Sequence, residues 1–224
     1  MNTEQAIAQL SALGDVETAA KMQNIFKIDR TYLGVSNGDI GTLYKEWRKQ
    51  VDGEARTSLA AELWDSNIHE ARLVAAKLLT QARINPDDHV WAEITRWISE
   101  LDHAVYADAA CGAGARRLMA HPDRMAEVSR WVESEDMWMR RSVMTITLPL
   151  TKLNNPKADD LAHRDQILSW MGELATDSEW LVQNAIGHWL ATLSKHDAPR
   201  MLSFLETFGA DLKPFATKEA CKFL

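Results

Sequence analysis

Apolar residues recur at helical spacing along almost the whole of this 224-residue chain. They stand at i, i+3, i+4 and i+7 in nearly every segment, which places them on one face of an α-helix. No stretch of strand length alternates apolar and polar residues, and turn or cap residues such as Asn154-Asn155-Pro156 separate the periodic segments. The pattern predicts an all-α fold of about a dozen helices, among them helices over 103–120, 122–133, 179–194 and 196–208. We expect these helices to form a single domain over residues 1–224.

Three segments share a weak internal repeat in which an apolar helix end, an acidic or hydroxyl turn and a new helix follow one another. They are LWDSNIHEARLVAAKLL (63–79), WVESEDMWMRRSVM (131–144) and LATDSEWLVQNAIGHWL (174–190). Aligning their turns gives Arg72, Arg141 and Asn184 the same position, and Asp108 falls between the first two. Because equivalent positions of stacked helix pairs face one side of a superhelix, we expect a curved helical-repeat solenoid whose inner face carries these four residues.

Charge and targeting signals restrict the class of protein. A net charge of −7 argues against tight non-specific binding of nucleic acid, which needs a basic surface. The acidic excess lies in residues 1–112, with 17 acids and 11 bases, whereas residues 113–224 hold 15 acids and 14 bases. The two cysteines cannot form a disulfide framework, and we find neither a secretory signal nor 18 consecutive apolar residues. We therefore expect a cytoplasmic protein that does not enter a membrane.

The motifs of metal and nucleotide enzymes are missing from the sequence. The seven histidines form no HExxH pair, and there is no G-x-S-x-G nucleophile motif or glycine-rich phosphate loop. We accordingly expect no metal and no cofactor.

The best candidate for chemistry is an acid beside a run of small residues. Asp108 precedes Ala109–Ala115 (AACGAGA), which neighbouring backbones can approach closely, and Arg141 follows about one helical repeat later. A carboxylate and a guanidinium so placed could act on a ligand. They could equally form a buried ion pair that holds two helices in register.

Further candidates combine aromatic rings, arginines and helix starts. Several aromatic side chains could pack on bases or sugars, or could fill the core. Trp138 and Trp180 lie just inside predicted helix starts, Tyr106 lies two residues before Asp108, and His188 stands next to Trp189. Arg140 and Arg141 suit phosphate contacts and internal carboxylate pairing equally well. Backbone N–H groups at Ser134–Met137 and Thr176–Trp180 could hold phosphates, in competition with the caps Ser134 and Asp177.

At this point the residues resemble a known family. Phe26 and the run Tyr32-Leu33-Gly34-Val35, then LWDSNIHEARLVAAKLL, HPD (121–123), SEDMWMRRS and VQNAIGHWL, are together similar to the AlkD-type DNA alkylation repair glycosylases. The resemblance runs in order from about Ala19 to Leu224. It implies a HEAT-like repeat solenoid, curved, with duplex DNA on its concave face, that excises 3-methyladenine and 7-methylguanine types of purine. Apart from the resemblance, we expect a monomer.

The resemblance also implies roles for individual residues. Asp108 matches the family's catalytic acid, and Arg141 matches its phosphate-clamping arginine. Lys218 and Lys222 match a basic stretch that touches the DNA backbone. The chain departs from the family at Ala104 and His188, where the family has two tryptophans that hold the lesion.

These departures leave alternatives open. The chain could be a catalytically inactive homologue that binds bent or branched DNA. It could also be a helical-repeat scaffold that binds other proteins.

Overall fold

The computed structural model describes residues 1–81 and 83–224, and helices joined by short turns make up the described chain. Its α-helices are α1 (Thr3–Ala12), α2 (Val16–Phe26), α3 (Asn37–Gln50), α4 (Gly53–Asp65), α5 (His69–Leu79), α6 (Asp88–Ile98), α7 (Ala104–Ala120), α8 (Met125–Val128), α9 (Met137–Thr147), α10 (Ala158–Glu173), α11 (Trp180–Phe208) and α12 (Pro214–Ala220). Among the described residues the sole extended pairing is an isolated bridge between Thr31 and Ile68. The predicted all-α fold is confirmed.

One predicted helix differs from the structure, and one predicted helix break is confirmed. The predicted helix over 122–133 is the short α8 between two turns of 3-10 helix, Pro122–Arg124 and Ser129–Trp131. The predicted helices over 179–194 and 196–208 are the two parts of α11, which meet at a kink where Asp197 is non-helical (φ −153°, ψ 63°). Pro199 accounts for the kink, because proline lacks an N–H and its ring clashes with the preceding turn.

The contacts divide the chain into two compact units, which are described separately. Unit 1 comprises Met1–Trp97 and His103–Arg116, and unit 2 comprises Ile98–Asp102 and Arg117–Leu224. The single domain over residues 1–224 stays a prediction. No helix in the described parts of the chain is long and apolar enough to cross a membrane.

In unit 1 a buried carboxylate holds the loop that precedes α3. Glu70 is fully buried and accepts hydrogen bonds from the backbone N–H groups of Leu33 (3.0 Å), Gly34 (2.7 Å) and Val35 (3.2 Å). Gly34 has φ +79°, and a Cβ there would lie 2.1 Å from the carbonyl oxygen of Asp15. Only glycine fits at this position. The loop Tyr32-Leu33-Gly34-Val35 is therefore held against the first turn of α5 (residues 69–72) by the Glu70 carboxylate.

In unit 2 the long α11 organises the packing. Its buried face carries Ile186 and Trp189, and a Cβ added to Gly187 would lie 2.7 Å from the carbonyl oxygen of Ala216 in α12. Glycine thus lets α12 lie directly against α11. The buried Arg164 of α10 donates to the carbonyl of Leu150 (2.9 Å) and to the Asp197 carboxylate at the kink (3.2 Å), which ties α10 to α11.

Candidate functional site

The first turn of α7 positions the candidate acid of unit 1. His103, just before the helix, accepts a hydrogen bond at its Nδ1 from the N–H of Val105 (3.2 Å). The carbonyl of His103 accepts from the N–H groups of Tyr106 and Ala107, both at 3.1 Å. The His103 ring also meets the Phe26 ring edge-on at 5.2 Å. Side-chain and backbone contacts therefore fix the start of α7.

Tyr106 is fully buried and anchors α7 to α5. Its hydroxyl lies 2.7 Å from Nδ1 of the buried His69, and the Arg30 guanidinium carbon lies 4.2 Å from its ring centroid. Burial lowers the pKa of His69, and the positive charge of Arg30 adds to the effect while the Glu70 carboxylate opposes it. Tyr106 was a predicted DNA contact. With no exposed surface, its ring cannot stack on a base without displacing its neighbours.

Asp108 lies on the opposite, exposed face of α7. The side chains one turn before and after it on that face are Ala104 and Gly112, and a Cβ built at Gly112 meets nothing within 4 Å. On the buried face, Ala107 and Ala110 pack without bulk. The carboxylate therefore lies on an exposed helix face whose positions four residues before and after it carry little side-chain bulk, and a substrate backbone could approach it from that side. A buried ion pair would instead require Asp108 to be covered.

Arg72 contributes to packing in unit 1. Its side chain is buried, and its Nε donates to the carbonyl oxygen of Trp64 at 3.0 Å. The guanidinium carbon lies 4.8 Å from the Trp64 ring and 5.7 Å from the Tyr106 ring. The expectation that Arg72 lies with Asp108 on a ligand-facing surface needs correction, because these rings cover its guanidinium. The repeat alignment placed Arg72 on the same predicted face as Asp108, but Arg72 is buried and Asp108 is exposed.

Arg140 of unit 2 is engaged in internal pairing. Its Nε lies 2.6 Å from Oδ2 of Asp177, and its exposed fraction is 17%. Its Nη1 donates to the carbonyls of Ser134 (2.8 Å) and Glu135 (2.9 Å). These bonds join the start of α9 to the turn before α11, so the predicted phosphate contact by Arg140 would require them to break.

Arg141 and Trp138 lie close together on the first turns of α9. Arg141 is 8% exposed, and its guanidinium carbon lies 6.0 Å from the ring centroid of the partly exposed Trp138. Asp136 caps this helix by accepting from the N–H of Trp138 at 2.9 Å. The predicted cap Ser134 instead accepts a hydrogen bond from the N–H of Asp136 at 3.2 Å, one of the donors that we predicted to be available to phosphate. What remains at the surface of this turn is an aromatic edge.

The exposed face of α11 carries a row of neutral and basic side chains, which we name the α11 row: Trp180, Asn184, His188, Thr192 and Lys195. Successive members are four or three residues apart, so they lie along one line of the helix. The row contains no acid. Trp180 is 59% exposed, whereas seven of the nine tryptophans are buried. Sequence reasoning selected Trp180, Asn184 and His188 but missed Thr192 and Lys195, which the same spacing could have found.

The C-terminal lysines are exposed beside α11. Lys218 lies on α12, and Lys222 follows the helix with its Nζ 3.1 Å from Oε1 of Glu219. The Nζ of Lys195 lies 3.4 Å from the Phe223 ring centroid. Close approach of α12 at Gly187 thus brings basic side chains next to the α11 row. In the described part of the chain, no three His, Cys, Asp or Glu side chains gather into a metal site.

Comparison with known proteins identifies the fold. A protein of Enterococcus faecalis described as a predicted DNA alkylation repair enzyme superposes with a TM-score of 0.79 at 21% identity, over 94% of this chain and 96% of that one. AlkD2 from Streptococcus mutans superposes with a TM-score of 0.65 at 16% identity, over 93% and 98%.

A third structure represents "a new family of proteins related to the HEAT-like repeat DNA glycosylases with affinity for branched DNA structures". It superposes with a TM-score of 0.70 at 17% identity, over 99% of this chain and 93% of that one. The likeness confirms the predicted HEAT-like repeat fold.

No curated protein matches the sequence. The family model described as "DNA alkylation repair enzyme" matches residues 6–224, which is almost the entire chain. The chain belongs to the DNA alkylation repair enzyme family.

Proposed function

We propose that the protein is a DNA glycosylase that releases purines alkylated on a ring nitrogen from duplex DNA, with Asp108 as its catalytic carboxylate. The observation that carries the proposal is the exposure of Asp108 on a helix face flanked by Ala104 and Gly112. A sugar-phosphate backbone can reach a carboxylate only where no large side chain stands beside it. Membership of a DNA alkylation repair family supplies the substrate class.

Base release from an alkylated purine requires only modest catalysis by the protein. Alkylation on a ring nitrogen leaves the base cationic, so the base is already a good leaving group. As the N-glycosidic bond breaks, the electron pair departs with the base and the sugar becomes oxocarbenium-like. A fixed carboxylate stabilises that positive charge and orients the water that adds to C1′. Such a contact stabilises a transition state by a few kcal/mol.

We assign the phosphate contacts to unit 2. Arg141 is 8% exposed and its guanidinium carbon lies 6.0 Å from the Trp138 ring centroid, so it would hold a phosphate only after its guanidinium turns outward. The α11 row offers an amide, an imidazole, a hydroxyl and an ammonium group without an acid to repel the backbone. Lys218 and Lys222 extend the same charge. Trp180 offers an exposed ring for stacking.

A second candidate function is DNA binding without base release. Ala104 and His188 stand where the resemblance places two tryptophans, so neither position supplies the large aromatic wall that would hold a lesion. One structural neighbour belongs to proteins with affinity for branched DNA. In this reading the α11 row and Arg141 keep their roles and Asp108 has none in catalysis.

The deciding experiment incubates the protein with methylated duplex DNA and measures released 3-methyladenine and 7-methylguanine. We expect release by the parent and about 100-fold or more slower release by Asp108→Asn, since a few kcal/mol of charge stabilisation is lost. Asp29→Asn, another exposed acid of unit 1, is the matched control and should act like the parent.

Binding of intact and four-way branched DNA by the same proteins separates the two functions. Arg141→Ala should weaken binding and make it less sensitive to salt in both readings. Tight binding without release by the parent would overturn the glycosylase and favour the second function. Equal release by Asp108→Asn and the parent would remove Asp108 from the mechanism.

A further inference from the structure

A second basic surface lies in unit 1, outside the residues assigned so far. Tyr44 of α3 is partly exposed and has two cations near its ring. The guanidinium carbon of Arg48, one turn later on α3, lies 5.9 Å from the ring centroid, and the Nζ of Lys77 on α5 lies 5.8 Å from it. We call Tyr44, Arg48 and Lys77 the α3–α5 patch.

The two cations of this patch are not neutralised by an acid. Arg48 and Lys77 are both exposed, and within the described residues neither is in an ion pair. By contrast, Arg140, Arg164 and Arg200 of unit 2 each pair with an aspartate. In a chain of net charge −7, two like charges beside one ring without a carboxylate are a local excess of positive charge.

The positive charge of this patch affects the pKa of a neighbouring arginine. Arg56 of α4 donates to the backbone carbonyls of Arg48 and Val51, both at 2.8 Å. Burial lowers the pKa of Arg56 first and the positive charge of Arg48 lowers it further, with Asp52 opposing the shift. Three basic groups therefore come together here, and Asp52 offsets only part of their charge.

The arrangement resembles sites that hold a sugar-phosphate backbone. Two like cations held near each other repel, and a bound phosphate would relieve the repulsion. The Tyr44 ring, 5.9 Å from the Arg48 guanidinium carbon and 5.8 Å from the Nζ of Lys77, attracts both cations and limits their rotamers, so less entropy is lost on binding. An exposed aromatic ring beside paired cations also accepts a base or sugar by stacking.

We infer that the α3–α5 patch is a second DNA-contact surface, in which Arg48 and Lys77 bind phosphodiester groups and Tyr44 packs against the sugar or base between them. The inference rests on the proposed DNA binding and not on base release. The proposed function assigns the contacts with the DNA backbone to unit 2, and this inference assigns further such contacts to unit 1.

The test measures DNA binding by fluorescence anisotropy over a series of salt concentrations, with a labelled duplex as the probe. For the double variant Arg48→Glu/Lys77→Glu we expect at least about tenfold weaker binding and a salt slope smaller by about two, one for each phosphate contact removed. The double variant Lys21→Glu/Lys27→Glu, at two exposed lysines of the same unit, controls for the same change in net charge and should bind nearly as the parent does. Tyr44→Phe should bind like the parent, and Tyr44→Ala more weakly.

The outcomes separate this inference from the proposed function. A parent that binds DNA together with a double variant of unchanged affinity and salt slope would overturn the inference alone. A double variant that loses binding to polyglutamate but keeps parental binding to DNA would also overturn the inference, because the patch would then fit an acidic protein segment. A parent that does not bind DNA would overturn both. Far-ultraviolet circular dichroism and thermal unfolding confirm that each variant is folded.

Discussion

The Glu70 carboxylate accepts a hydrogen bond from the backbone N–H of Gly34 at 2.7 Å, in the fully buried interior of unit 1. Two further N–H groups, those of Leu33 and Val35, complete its shell. A fully buried glutamate in the first turn of a helix, bonded to backbone N–H groups of a distant loop, is unusual. Here the Glu70 carboxylate accepts the hydrogen bonds of loop N–H groups that have no partner within the loop itself.

Glu70→Gln should lower the free energy of unfolding by about 1–3 kcal/mol, because one amide end cannot accept hydrogen bonds and leaves a buried N–H without an acceptor. Urea unfolding followed by circular dichroism measures the change. Glu46→Gln, at an exposed position of α3, is the control and should stay within about 0.5 kcal/mol of the parent. An unchanged Glu70→Gln would mean that the loop does not depend on this carboxylate.

Gly187→Ala should loosen α12, because the new Cβ would lie 2.7 Å from the carbonyl oxygen of Ala216. Overpacking of this kind costs about 1–3 kcal/mol, and faster amide hydrogen exchange over residues 214–220 would report it. Gly41→Ala, in α3, provides the control because a Cβ there meets nothing within 4 Å. It should stabilise the protein by up to about 1 kcal/mol. Slow exchange in the Gly187 variant would contradict the proposed close packing.

His69 should make the protein less stable as pH falls. Its pKa in the folded protein lies below the ordinary value of about 6.5, so the unfolded chain binds the proton more tightly. Stability from this group is complete above that value and is lost as pH decreases toward the folded pKa. We expect urea unfolding to show a larger loss between about pH 7.5 and about pH 5 for the parent than for His69→Gln. Equal losses would show that His69 does not contribute.

Arg140→Lys should reduce stability more than it reduces DNA binding. Lysine cannot donate at once to Asp177 and to the two carbonyls that Arg140 reaches, and charge-assisted hydrogen bonds of this kind contribute about 1.5–3 kcal/mol. Thermal unfolding and DNA anisotropy on the same sample give both quantities. Arg130→Lys, at an exposed position, is the matched control. A variant of parental stability that binds DNA poorly would instead make Arg140 a phosphate contact.

Ala104→Trp should increase the rate of base release, if Asp108 acts as proposed. Ala104 is partly exposed one turn before Asp108, so a tryptophan there would place an aromatic surface beside the carboxylate. Stacking of a base on such a ring contributes about 1–3 kcal/mol. Ala162→Trp, on the exposed part of α10, controls for added aromatic surface. A slower Ala104→Trp enzyme would indicate that the open face itself is needed for substrate approach.

The helical fold was predictable because apolar periodicity is a local property of the sequence. The predicted helix over 103–120 is observed as Ala104–Ala120. The region over 122–133 was not predictable in the same way. Its apolar spacing suits a helix, but the chain there forms 3-10 turns around the short α8.

The exposure of individual site residues could not be read from spacing. Tyr106 and Asp108 are two residues apart on one helix, yet the first is fully buried against His69 and the second is exposed. Arg140 and Arg141 are adjacent, yet the partner Asp177 lies 37 residues away from Arg140. Such partners are chosen by packing between helices.

The sequence alone determined that this chain forms helices and that they recur as a repeat, and through the resemblance it predicted that Asp108 and Arg141 match functional residues of the family. Local periodicity and caps are sufficient for the first two, and motif order for the third. Only the tertiary structure decided which polar side chains remain at the surface. The burial of a side chain depends on which distant segments pack against it. Glu70 is bonded to Gly34, 36 residues before it, and Lys77 lies with Arg48 beside the Tyr44 ring.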